Sequence, residues 1–236
     1  IGTEDGGLNR FNLKTKDFSF FAPSAGFKHI HGLCLVDDNL WVGTFSKGLK
    51  VIDTRSGVVL KTYQKNDSPR SLIDNSIFAI CKTATGDIYL GTMFGLVRYN
   101  KQSDDFDRIP ELNGKFIYDI KEDSAGNIWL ATYANGVYCY NVNDRKWKNY
   151  VHDDKDNTSL PYNKVSSVFE DSHRQIWLTT QGGGFCIFHP ESETFTSYNS
   201  TNGLPSDVVY QIVEDKEGQL WLTTNNGQVS SMQFSQ

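Results

Sequence analysis

Residues 126–141 read GNIWLATYANGVYCYN, and this stretch decides the fold. Gly126-Asn127 signals a turn, Ile128 to Thr132 a short apolar strand, Tyr133 to Gly136 a second turn, and Val137 to Asn141 another strand. Short apolar runs punctuated by Gly and Asn predict a β-hairpin.

The chain then says the same thing repeatedly. The phrase aliphatic, aromatic, aliphatic, small, Thr occurs at Leu40–Thr44, Ile88–Thr92, Ile128–Thr132, Ile176–Thr180 and Leu220–Thr224, and without its aromatic at Ile1-Gly2-Thr3. Trp41, Trp129, Trp177 and Trp221 hold one repeat position, and Tyr89 takes it in the remaining copy. Thr3, Thr44, Thr92, Thr132, Thr180 and Thr224 mark the phase, with spacings of 41, 48, 40, 48 and 44. A period near 44 with about four short strands per copy is the signature of a β-propeller blade. Apolar spacing of three and four, which a helical repeat would need, is absent.

The expected fold is therefore all-β, with four-stranded antiparallel blades over residues 1–236 as a single propeller segment. A partial blade is expected at 1–21, full blades at 27–63, 73–109, 115–150 and 162–198, and a partial blade at 205–234. Inner strands are expected near His31–Val36, Ser76–Lys82, Ile117–Glu122, Val165–Glu170 and Val208–Glu214. The first copy should hold the end of a second strand at Ile1–Thr3, and the last a third strand at Gln228–Phe234. Both ends then offer second and third strands, so five to six blades of a larger, seven-bladed ring are expected. The chain also starts mid-motif without Met, which reads as a trimmed segment.

With 236 residues the chain can bury a sizeable core. Its net charge is −5 and it has no basic run, which argues against nucleic acid or an anionic membrane surface as partner. No apolar run approaches the ~18 residues of a membrane span. Cys34 and Cys81 fall in inner strands and Cys139 and Cys186 in third strands, with no CxxC, so buried free thiols are expected.

The turns between inner and second strands should line one rim. They are regular: Glu122 to Asn127, Glu170 to Gln175, Glu214 to Gln219. Asp123, Asp171 and Asp215 read as turn formers bonding the backbone two or three residues on, not as a catalytic set. The turns after each Thr and the crossings between blades should line the opposite rim, and these vary. Variable loops on a rigid repeat are where binding residues usually sit. Three crossings share a phrase at 71–75, 159–163 and 203–207, with Leu72, Leu160 and Leu204 at its centre.

None of the five histidines accompanies a nucleophile elbow, and no catalytic residue is assigned. Residues 153–157 are rich in oxygen ligands but lack the Gly and distant Glu of a calcium loop, and Gln181 to Gly184 lacks the Lys of a phosphate loop. No metal or cofactor is expected. A carbohydrate site needs flat aromatic faces and planar hydrogen-bonding groups. Phe45, Tyr133, Asn135, Gln181 and Asn226 hold comparable places on the variable rim. Tyr118 and Tyr210 match each other in neighbouring inner strands, and His31, with His29, begins the first one. These are the candidate ligand-binding residues; filling of the central channel by the tyrosines is the competing reading.

The phrase from Asp123 to Asn141, with Leu160 to Val165 and Leu204 to Val208, resembles the two-component regulator propeller family. The likeness extends over all six copies; Tyr89 for Trp, the shortened turn at Asp37–Asn39 and Gln228 after Gly227 depart from it. The resemblance implies the periplasmic sensor region of a hybrid histidine kinase of Bacteroidetes, in which propellers report on glycan fragments. It implies other domains of the same parent chain, an oligosaccharide and a second parent copy in a homodimer as partners. The kinase itself is absent from this sequence. Two other functions stay open: a pure interaction scaffold, and an enzyme similar to streptogramin lyase, for which His29 and His31 are the only pair placed.

Overall fold

The computed structural model describes residues 1–22, 26 and 28–232. Its contacts divide the chain into two compact units, Ile1–Ile117 and Tyr118–Gln236. Both are built from antiparallel sheets whose strands follow one another in chain order.

In the first unit β1 (Asn9–Phe11) pairs with β2 (Phe18–Phe20). A four-stranded sheet follows: β3 (Ile30–Val36), β4 (Asn39–Thr44), β5 (Leu49–Asp53) and β6 (Val59–Tyr63). The next comprises β7 (Ile77–Lys82), β8 (Ile88–Thr92), β9 (Gly95–Asn100) and β10 (Asp105–Arg108). The second unit carries β11 (Ile117–Glu122, starting at the boundary), β12 (Ile128–Thr132), β13 (Val137–Asn141) and β14 (Lys146–Tyr150). A further sheet holds β15 (Val165–Glu170), β16 (Ile176–Thr180), β17 (Phe185–His189) and β18 (Thr194–Tyr198). A separate three-stranded sheet follows: β19 (Val209–Glu214), β20 (Leu220–Thr224) and β21 (Val229–Met232). These are propeller blades. Among the described residues no helix is long and apolar enough to cross a membrane.

Some expectations need correction. Ile1–Thr3 forms one isolated bridge, Gly2 to Leu8, but it pairs antiparallel with residues 7–9 as expected: Ile1 and Asn9 exchange backbone bonds of 2.8 Å and the Thr3 N–H donates to Gly7. The third strand expected to Phe234 is seen as β21; residues 233 and 234 lie outside the described residues, as do 23–25 and 27 of the crossing 22–28. All four cysteines are free, but only Cys139 and Cys186 are buried, while Cys34 and Cys81 are half-buried on inner strands. Burial pushes the Cys139 thiol up to about 12, so it behaves as a small apolar group.

The second strands are the most buried elements. Every residue of β12 and β16 is buried, as expected for strands covered on both faces. The tryptophan at the second place of the repeat phrase packs there: Trp41, Trp129 and Trp177 are 5%, 3% and 1% exposed, whereas Trp221 is 38% exposed. Trp129 meets Phe188 with ring centroids 5.0 Å apart, and Trp41 meets Tyr99 at 4.9 Å.

The repeat residues each solve a hydrogen-bonding problem. Asp123 Oδ1 accepts from the backbone N–H of Ala125 and Asn127, and its Oδ2 accepts from Trp129 Nε1 at 2.8 Å. Asp171 does the same for His173, Gln175 and Trp177, and Asp215 for Glu217, Gln219 and Trp221. One carboxylate thus closes the turn and satisfies an indole that burial would leave unpartnered. At the other end of the second strand the Thr hydroxyl braces the next turn. Thr44, Thr132 and Thr180 donate to the carbonyl oxygens of Gly48, Gly136 and Gly184 at 2.8, 2.6 and 2.9 Å. Those glycines have positive φ, and a Cβ would sit 2.0–2.1 Å from the carbonyl oxygen of Tyr63, Tyr150 or Tyr198, so no other residue fits.

Crossings are latched to these turns. The N–H of Gly48, Gly136 and Gly184 donates to the carbonyl of Asn75, Asn163 and Asp207, the polar residue that ends the shared crossing phrase. Leu72 and Leu160, at its centre, are fully buried.

Candidate functional site

Backbone geometry selects which side chains each inner strand presents. In β3, β7, β15 and β19 the pairing register slips between the first and third residue, a β-bulge. A bulge re-aims the extra residue out of the normal alternation. The residues so placed are His31, Phe78, Ser166 and Tyr210; Tyr118 holds the same second position in β11. Beside them comes the residue after each Thr, whose N–H donates to the residue preceding the strand: Phe45 to His29, Gln181 to Lys164.

In the first unit these positions make an aromatic patch. His31 stacks on Phe78 with centroids 4.5 Å apart, Phe45 stands edge-on at 6.4 Å to His29, His31 and Phe78, and Phe116 meets Phe78 at 4.5 Å. Burial among these rings lowers the His31 pKa, opposed by Glu4, so the imidazole is neutral at pH 7.

In the second unit the same positions make a polar aromatic cluster. The Tyr118 and Tyr133 rings lie 5.7 Å apart, and Lys164 Nζ sits 4.4 Å over the Tyr133 ring. Gln181 hydrogen-bonds the Tyr118 hydroxyl, whose pKa is raised mainly by burial, with Tyr133 and Tyr210 adding to the rise. Ser166 Oγ is buried with no hydrogen-bond partner.

Of the residues expected from sequence, the structure brings His31 and Phe45 together in one unit, and Tyr118, Tyr133, Gln181 and Tyr210 in the other. Asn226 is engaged in its own turn, accepting from Thr224 Oγ1 and the Gln228 N–H. Asn135 contributes its backbone N–H to Thr132 Oγ1. Tyr118 and Tyr210 are not in neighbouring inner strands, because β15, with Ser166 at the matching position, comes between them. Sequence reasoning missed Phe78, Phe116, Lys164 and Ser166. Their signal was positional: Phe78 and Ser166 are the second residues of inner strands, in phase with His31 and Tyr118, and Phe116 and Lys164 immediately precede inner strands, in phase with His29. The oxygen-rich loop at 153–157 uses its carboxylates locally, with Asp153 and Asp156 accepting from Lys155 and Thr158 and Asp154 paired with His152 at 2.9 Å.

A second feature lies at the opposite rim of the first unit. A cavity of about 620 Å³ opens between the β3–β6 and β7–β10 sheets, over Trp41, Tyr63 and Tyr99 and edged by Lys82, Arg98 and Asp107. Its cause is the shortened turn. In the second unit, Ser124 and Ser172 reach from the long turns to Glu170 and Glu214 of the next inner strand, with bonds of 2.6–2.8 Å. In the first unit the turn has only Asp37 and Asp38, and Asp37 meets Lys82 at 3.0 Å instead, leaving the space beneath unfilled. Its ion pairs are internal and exposed.

The family described as two-component regulator propeller matches residues 111–134 and 203–226. Histidine kinase P4 of Formosa agariphila is 30% identical over 270 residues, covering 86% of this chain and 19% of that protein. Two solved extracellular domains of hybrid two-component systems from B. thetaiotaomicron superpose with TM-scores of 0.81 and 0.77. They are 22% and 21% identical, cover 100% and 98% of this chain, and are each matched over 31% of their own length. The chain thus spans under a third of each of these relatives.

Proposed function

We propose that this chain, which carries two-component regulator propeller repeats, is the extracytoplasmic ligand-sensing propeller of a hybrid two-component histidine kinase. Its role is binding, not catalysis. Its place is the periplasm, as part of a longer membrane-anchored parent that acts as a homodimer. The ligand is a glycan fragment, and the output is transcription of genes for polysaccharide use.

One observation carries the reading: inner-strand bulges aim a row of aromatic and polar side chains towards the variable turns, and in the second unit Tyr118, Tyr133, Lys164 and Gln181 converge. Flat rings bordered by amide, hydroxyl and ammonium groups suit a sugar's apolar face and its hydroxyls. A ligand held there touches two blades at once, so binding favours one relative placement of the blades. A ligand can shift a conformational equilibrium only by such differential contact.

A thermal-shift screen of the full chain against defined oligosaccharides tests this. A ligand at a hundred times its Kd adds about 2.7 kcal/mol. A saturable rise in melting temperature for one glycan class, lost in Tyr133→Ala, is expected; a flat response across the panel refutes it.

A further inference from the structure

The charge of the second unit's cluster is of one sign. Lys164 brings an ammonium, Tyr118, Tyr133 and Ser166 bring hydroxyls and Gln181 an amide, each able to donate or accept, and no carboxylate is among them. Lys164 makes no ion pair among the described residues. Its ammonium lies over the Tyr133 ring, which holds the charge in place without neutralising it. The acids next to the cluster in sequence are turned to other work. The Asp119 carboxylate accepts from the backbone N–H of Ile120 and Val168, at 2.9 and 3.0 Å, and Asp207 accepts from Ser200 N and Oγ.

Ser166 holds the second place of its inner strand, which Tyr118 and Tyr210 fill with rings in the flanking strands, so a small side chain stands there in place of a ring. The Ser166 hydroxyl itself is buried, so it lies beneath the surface a ligand would meet.

We propose that this cluster binds the acidic group, a carboxylate or sulfate ester, of a glycan fragment, with Lys164 as its counter-ion. The inference rests on the ligand-sensing reading and specifies its substrate class. A neutral sugar would leave the Lys164 ammonium without a counter-ion, whereas an anionic group would pair with it. The first unit's patch is different: His29 lies 3.9 Å from Asp5 and Glu4 acts on His31, so acids accompany that patch.

Calorimetric titration of the full chain tests it, with digalacturonate, its dimethyl ester, galactose 6-sulfate, a neutral oligosaccharide panel and sodium sulfate as probes. At least one acidic sugar is expected to bind about tenfold or more tighter than its uncharged counterpart. Lys164→Met is expected to erase that preference, Lys164→Arg to keep it, and salt raised from about 50 to 200 mM to weaken it. Equal affinity for charged and uncharged forms, or a preference untouched in Lys164→Met, overturns the inference. If neutral sugars bind and acidic ones do not, sensing stands and this inference falls. If no sugar binds, both fall. If sulfate alone matches the best acidic sugar, the site is a simple anion site and the glycan assignment falls.

Discussion

Asp171 shows how much one repeat residue does. Its carboxylate takes two backbone amides and the Trp177 indole, which is almost wholly buried. Asp171→Ala removes all three acceptors and leaves the indole N–H dry. A loss of about 1–3 kcal/mol is expected, read as a lower urea midpoint. Asp215→Ala should cost visibly less, because Trp221 is exposed and water can replace the carboxylate. A second residue-scale test is Asp104, which accepts from Lys61, Tyr63 and Tyr99. The Lys61 bond, then the two tyrosines, hold its carboxyl down to about 2 from 3.8. A folded value below the unfolded one gives stability that is present above the unfolded pKa and lost as pH falls through the folded one. Acid titration of Asp104→Asn should therefore show a flatter stability loss between pH ~4 and ~2 than the parent chain. The turn role of the aspartates was legible in the sequence from their offset to Gly and Asn. Their bond to the tryptophan six residues on was not, since nothing in a string says which way an indole N–H points. The copy with Tyr89 in place of Trp also has Thr83 in place of the aspartate, and that paired loss was the available clue.

At the scale of elements, the glycines after each Thr are not equivalent to those in the inner turns. Gly136 has φ +70° and its Cβ would meet the Tyr150 carbonyl oxygen at 2.1 Å; Gly126 has φ +84° and its nearest neighbour would be 3.7 Å away. Gly126→Ala should cost about 1–2 kcal/mol of left-handed strain alone. Gly136→Ala must also break the turn-to-crossing latch and is expected to lower the melting midpoint at least twice as far. Equal effects would show that the close approach is not real. Glu170→Ala, which removes the acceptor for both Ser124 bonds, should loosen the turn at 122–127, seen as faster amide exchange there. Strands and turns were legible because the alternation of apolar runs and Gly or Asn is local. The bulges were not: a slip of register between Ile30 and Gly32 or between Val165 and Ser167 depends on the partner strand, and it decides which residues face the ligand. The same lack hid Ser166 and Lys164, which look like ordinary strand-start residues in isolation.

For the whole chain, the repeat fixed the fold class because one phrase recurs in six copies, and the likeness to two-component regulator propellers follows from the same residues. Function is less repetitive by nature: the binding rim is the part of each copy that does not repeat. The measurement that tests the central claim most directly is amide hydrogen exchange of the full chain, with and without the oligosaccharide that gives the largest thermal shift. If the variable rim is the sensor surface, protection concentrates at residues 116–119, 133–136, 164–167 and 181–184, and Tyr133→Ala removes it. Protection confined to the turns at 37–39 and 83–87, beside the cavity of the first unit, or protection that Tyr133→Ala leaves unchanged, would contradict the account.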